Sequence, residues 1–219
     1  MPSLEVNSTS GHSGPSGGEA EEIQGTCISP ASTVTKNDPF LLLCKVSDEP
    51  SAMKNALIAA LQRNPTYTTN DAGKRKKFRV RWGTLLRDEA KLYVATVTDE
   101  EHREVIKRLQ SHLKTDFGDI LIGGHPRYGT LRKAFDLYLK FLWRLGKAVA
   151  PPHCPIDRNV LDAAGINASW TECDDDKRYS EWDAAIDSVA RPRSSAEWEY
   201  DLSLKFLQPS KARTRCQKP

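Results

Sequence analysis

The sequence predicts an α+β chain, a small strand-containing N-terminal part followed by a mainly helical C-terminal domain. Three observations predict it. "KFRVRW" alternates Phe78, Val80 and Trp82 with basic residues, "KLYVATV" is rich in β-formers, and beyond Thr98 the apolar spacing becomes helical. At 219 residues, 38% hydrophobic and 28% charged, the chain can bury a core that needs no crosslinks.

Taken in order, residues 1–38 hold seven Ser and five Gly. They carry too little apolar surface to offset the entropy of ordering, and the expectation is a disordered segment. "PFLLLCKV" fits a buried strand or a helix turn equally well at its length. "EPSAMKNALIAALQR" places Met53, Leu57, Ile58 and Leu61 on one helical face, with Pro50 at its start and Asn64-Pro65 beyond its end. The two β-rich stretches are then expected to pair as a hairpin across "GTLLRDEA", which closes a small unit over residues 39–97.

A helical domain is expected over residues 98–190. Thr98 reads as an N-cap followed by Asp99, Glu100 and Glu101, and Val105, Ile106, Leu109 and Leu113 form the apolar stripe. The longest helix should run from Tyr128 to Leu145, roughly 27 Å at 1.5 Å per residue. Leu131, Phe135, Tyr138, Leu139 and Leu142 make its core stripe. "KAVAPPHCP" interrupts it, and a new helix is expected with Pro155 at its first position, Asp157 in its first turn and Gly165 at its stop. A further helix carries Tyr179, Trp182, Ile186 and Val189, capped by Thr171 or Asp174. "WEYDLSLKFL" fits a strand or a helix, within a basic tail over residues 191–219 that has seven Lys or Arg against three acids.

Net charge is only +3, but its distribution is uneven. Lys74, Arg75, Lys76, Lys77, Arg79 and Arg81 crowd one segment. Lys133, Lys140, Arg144 and Lys147 lie around the long helix away from its apolar stripe, with Arg127 just before it. Such patches suit a phosphate backbone, so DNA is the expected partner, with a protein partner as the alternative. Five widely spaced cysteines suit a reducing cytoplasm. No apolar run approaches the length of a membrane span, so no membrane partner is expected. His125, His153, Cys154 and Cys173 match no zinc spacing, and "DDD" reads as ordinary first-turn charge, so neither metal nor cofactor is expected. His102 and His112 read as exposed helix positions. Cys154, close before a helix start, is expected to have a lowered thiol pKa.

The order of parts over residues 123–161 carries more. "IGGHPRYGTLRKAF" is a glycine-containing turn opening a long helix that bears Lys133, a proline-rich loop follows, and "PIDRNV" opens the next helix. This resembles the helix-hairpin-helix DNA glycosylase superfamily. The block "YG...K...YLKFLW...PPHCPIDR" is also similar to one in uncharacterised bacterial proteins. The glycosylase resemblance implies DNA base excision: Lys133 as the amine that attacks the sugar, Asp157 as the carboxylate supporting its developing charge, and Tyr128, Trp170 or Tyr179 holding an extruded base. The turn departs from the family's Leu-Pro-Gly-x-Gly, with only Gly123, Gly124 and Gly129 at looser spacing. The 24 residues from Lys133 to Asp157 require the proline-rich insert to loop out. The alternative is a non-catalytic nucleic-acid- or protein-binding module of a bacterial defence or mobile-element system.

Overall fold

The computed structural model describes residues 37–62 and 64–207, and among them it forms eight α-helices and no strand. These are α1 (Pro39–Cys44), α2 (Glu49–Leu61), α3 (Ala72–Ala90), α4 (Asp99–Phe117), α5 (Tyr128–Arg144), α6 (Arg158–Ala163), α7 (Asp176–Ala190) and α8 (Ser195–Leu207). Helix covers 71% of the described residues, so the chain is all-α and the α+β expectation is corrected. The β-type pairing among them is one antiparallel bridge between Tyr67 and Leu121. The expected disordered segment falls, except for its last two residues, outside the described residues, as does the tail beyond residue 207.

The hairpin fails for a physical reason. Phe78 and Trp82 are fully buried while Val80, between them, is 63% exposed. In a strand all three would share a face. On a helix Val80 turns away, and Phe78, Trp82, Leu85 and Leu86 fall at i, i+4, i+7 and i+8 on the core side. Asp71 starts α3 by accepting from the amides of Gly73 at 2.7 Å and Lys74 at 3.0 Å. "KLYVATV" becomes a short 3-10 turn over Lys91–Val94 that buries only Tyr93.

Local chemistry places the other helices. Thr98 and Glu101 form the capping box of α4, whose expected stripe is buried throughout. His102 joins that stripe and is fully buried, not exposed, because it lies three and four residues before Val105 and Ile106. Asp48 and Ser51 box the start of α2, and Asp38 caps α1, which settles the "PFLLLC" run as helix. Asp175 caps α7, while Asp174 turns instead to the Tyr128 amide at 2.9 Å. "WEYDLSLKFL" lies within α8.

One core runs from Phe40 to Ile186, so no division falls at Thr98. At its centre α5 packs on α2, α3 and α4. Ala52, Ala56 and Ala60 on α2 are fully buried, and small side chains at i, i+4 and i+8 let a helix backbone approach closely. A helix enclosed this way is normally apolar all round. Instead α5 buries Arg132, Lys133, Asp136 and Lys140, and each meets an opposite charge.

Candidate functional site

Lys133, Leu137 and Lys140 fall at i, i+4 and i+7 on α5 and form one wall of a groove of about 710 Å³. Pro155, residues 157–160 and residues 168–171 line it together with residues of α1, α2 and α8. Asp157 reaches the groove because the proline-rich segment folds back over α5. That segment is not looped out: His153, Cys154, Pro155 and Ile156 are buried, and the Val149 amide donates to the Tyr93 carbonyl at 2.9 Å. The following helix starts at Arg158, with Asp157 as its N-cap in place of a first-turn position.

The Lys133 Nζ lies 3.0 Å from Asp157 Oδ2, while Asp157 Oδ1 accepts from the Val160 amide at 3.1 Å. The Lys133 side chain is 7% exposed and that of Asp157 35%, so the acid is the member open to the groove. Burial pushes the Asp157 pKa up. The Lys133 charge and hydrogen bond outweigh it, helped by the Val160 and Asn159 amides, and hold the carboxyl below its usual range.

Further along the same wall, Lys140 Nζ donates to Glu199 Oε2 at 2.5 Å and to Ser203 Oγ at 2.9 Å. The ammonium sits 3.8 Å from the centre of the Phe40 ring. Burial lowers the Lys140 pKa against the opposing pull of Glu199. Sequence reasoning missed Glu199 and Ser203. Their i, i+4 spacing in "EYDLS" was the available signal, hidden while that stretch fitted a strand equally well.

The other expected site residues separate. Trp170 lines the groove. Tyr128 and Tyr179 do not join it: both are buried, with ring centres 5.6 Å apart, and Arg132 lies over Tyr179 at 4.6 Å. The expected basic face of α5 is neutralised, because Lys140 is buried against Glu199, Arg144 pairs with Asp38 at 2.5 Å and Lys147 lies 3.8 Å from Glu49. Arg127 donates to the Thr171 carbonyl at 2.9 Å. On α3, Arg81 pairs with Asp116, Lys74 lies 3.6 Å from Asp119, and Arg75 donates to the Thr69 carbonyl. Lys76, Lys77 and Arg79 stay exposed. Met53 and Leu57 of α2 face Gly83 of α3, while Asn55, Ala59 and Gln62 line the groove from the opposite side of α2. The α3 patch and the groove are therefore on opposite faces of α2.

Gly123 and Gly124 adopt left-handed φ of 78° and 76°, as a glycine turn requires. Gly129 serves differently. It sits in the first turn of α5, where a Cβ would lie 2.2 Å from the Trp170 carbonyl oxygen. Its missing side chain lets the turn carrying Trp170 press on α5.

On the other side of α5, Arg132 donates to Asp136 at 3.0 Å and to both oxygens of Asp183 at 3.1 and 3.2 Å. His102 Nε2 lies 3.0 Å from Asp136, and His102 Nδ1 2.7 Å from the Tyr93 hydroxyl. His153 approaches Asp183 at 3.8 Å. This network is sealed in the core. Asp136 and Asp183 outweigh burial and raise the Arg132 pKa, while burial, helped by the Asp136 charge, carries Asp183 up to about 6 against the pull of Arg132. Burial also raises the Cys154 thiol, against the lowering expected at a helix start, because the side chain points into the core.

Among the described residues no group of three or more His, Cys, Asp or Glu is placed to share a metal ion, and no helix is long and apolar enough to cross a membrane. No protein-family model, curated protein or solved structure matches the chain.

Proposed function

We propose that the groove beside α5 is the active site of a DNA-binding protein that excises bases, with Asp157 as its central carboxylate. The observation that supports this is the 3.0 Å pairing of Lys133 with Asp157 at the groove wall. When an N-glycosidic bond breaks, its electrons leave with the base and positive charge grows on the sugar. An ionised carboxylate already oriented toward that charge stabilises it without reorganising. Asp157 has this character, since two amides and Lys133 favour its charged form.

Lys133 has two successive parts in this reading. Its ammonium first holds Asp157 ionised. It then gives a proton to the departing base, and the resulting amine attacks the sugar C1′; a second proton passes from that nitrogen to O4′ as the C1′–O4′ bond breaks, the ring opens and the nitrogen lone pair completes the C1′=N bond of a protonated Schiff base. Trp170 offers an aromatic face for the extruded base. Lys76, Lys77 and Arg79, across α2, supply a separate backbone contact. The buried Cys154 and Cys173 and half-buried Cys44, all free thiols, favour a reducing cytoplasm as the setting.

The test is a panel of duplexes bearing damaged, mismatched or missing bases, incubated with borohydride. The wild-type chain should release base and leave a covalent adduct. Lys133→Ala should remove the adduct, and Asp157→Asn should slow base release at least a hundredfold. Neither base release nor adduct across the panel would overturn the proposal. Binding that weakens steeply between 50 and 200 mM salt would then leave a non-catalytic DNA binder. Salt-independent behaviour would leave a protein-binding module.

A further inference from the structure

The groove wall holds a second cation whose counter-ion belongs to another element. Lys140 projects from α5, while Glu199 and Ser203, which neutralise and ligate it, both come from α8. Glu199 Oε1 also accepts from Ser203 Oγ at 2.5 Å, so two side chains of α8 cover an ammonium, a donor that commonly holds a phosphate. All three residues line the groove.

The way α8 is attached matters. Its buried residues are Ser195, Ala196 and Glu199, all in its first half, while Phe206 and Leu207 at its end are exposed. From Glu199 onward its polar contacts run from Glu199 and Ser203 to Lys140 and from the Tyr200 hydroxyl to Asp38 at 3.2 Å, and Tyr200, Leu202 and Leu204, each only partly buried, pack on the core beside them. The polar contacts exchange with a competing anion, and the half-exposed apolar ones separate more readily than a sealed core. Lys140 would keep a neighbour in that exchange, because the Phe40 ring contacts its ammonium from α1.

We propose that Lys140 is the cation of a phosphate subsite in the groove, covered in this conformation by Glu199 and Ser203, so that α8 is an autoinhibitory cover. A phosphate displaces the Glu199 carboxylate and frees α8 beyond Tyr200. The identity of that phosphate as a nucleotide's rests on the base-excision reading, whereas the subsite itself does not. A carboxylate held on a docked helix competes intramolecularly with any free anion. Phosphate therefore binds the wild-type chain weakly, its affinity reduced by the fraction of molecules in which α8 is docked.

Calorimetry with two probes, inorganic phosphate and an oligonucleotide carrying an abasic site, tests this on the full chain. Glu199→Gln should tighten binding of at least one probe tenfold or more, and adding Lys140→Met should abolish the gain. A gain with phosphate alone supports a subsite for free phosphate, and a gain with both supports a nucleotide's phosphate. A folded Glu199→Gln chain with no gain for either probe overturns the proposal. If that variant does not fold, hydrogen exchange on the wild-type chain decides. Saturating phosphate should speed exchange of α8 amides after Glu199 while α5 stays protected, and unchanged α8 exchange overturns the subsite. Base release without an affinity gain would remove the subsite and spare the proposed function; the gain without base release would do the reverse.

Discussion

Arg132 and Lys133 are neighbours on α5, about 100° apart around the helix, and they enter opposite environments. Arg132 enters a network in which the two carboxylates it bonds are themselves buried. Lys133 is nearly as buried, yet its partner Asp157 is a third exposed to the groove. Burial of the cation alone does not separate a structural charge from a working one. For these two cations the exposure of the counter-ion does, because a carboxylate that solvent reaches is reachable by a substrate without any helix moving aside.

The comparison can be broken most forcefully at Arg132. Arg132→Met leaves Asp136 and Asp183 without their cation, and losing one member of a buried pair costs about 3–5 kcal/mol. Urea unfolding should register that loss. A loss below about 1 kcal/mol would mean that the network is not a structural lock. Gly129→Ala should cost about 1–3 kcal/mol, the usual range for an overpacked contact, because its Cβ meets the Trp170 carbonyl. It should also change tryptophan emission as Trp170 shifts; unchanged emission and stability would refute the close approach.

The sealed network should show opposed pH effects. Asp183, with its pKa pushed up to about 6 by burial, adds stability below about pH 4 that is lost as pH rises through 6. His153, pushed down to about 4 by burial and by the Arg132 charge, adds stability above about pH 6.5 that is lost as pH falls through 4. His153→Gln removes only the second effect. Its stability relative to wild type should improve as pH falls from 6.5 to 4, by no more than about 1.4 kcal/mol per pH unit. A difference independent of pH would rule out a buried neutral His153.

The smallest effects belong to the groove. Asp157→Ala removes the α6 cap, worth about 0.5–2 kcal/mol, and leaves the Lys133 ammonium without its carboxylate, whereas Asp157→Asn keeps a capping oxygen and an acceptor for Lys133 and should cost less. Chemical denaturation of both variants beside their base-release rates sharpens the contrast. A large stability loss in Asp157→Asn would move the pair into the same structural class as Arg132.

Legibility followed the length of the pattern. Two helical turns of stripe plus a capping box made α4 readable, and α5, which has no side-chain cap, was readable from its longer stripe alone. α3 was not, since over the six residues from Lys77 to Trp82 a period of two and a helical i, i+4 pair coincide at Phe78 and Trp82. Lys133 and Asp157 were singled out through the order of motifs, but Glu199 came from a stretch whose secondary structure the sequence left open. The basic face of α5 misled because three of its partners, Asp38, Glu49 and Glu199, lie far away in the chain.

By itself the sequence determined where helices α4 and α5 start, which of their residues are apolar, and that an acid would stand at the opening of α6. These depend on contacts within four residues, where capping and periodicity act. Only the tertiary structure decided which charges were neutralised and which faced the groove. Pairing brings together groups separated by up to 106 residues, and no local pattern records which distant carboxylate will meet a given cation.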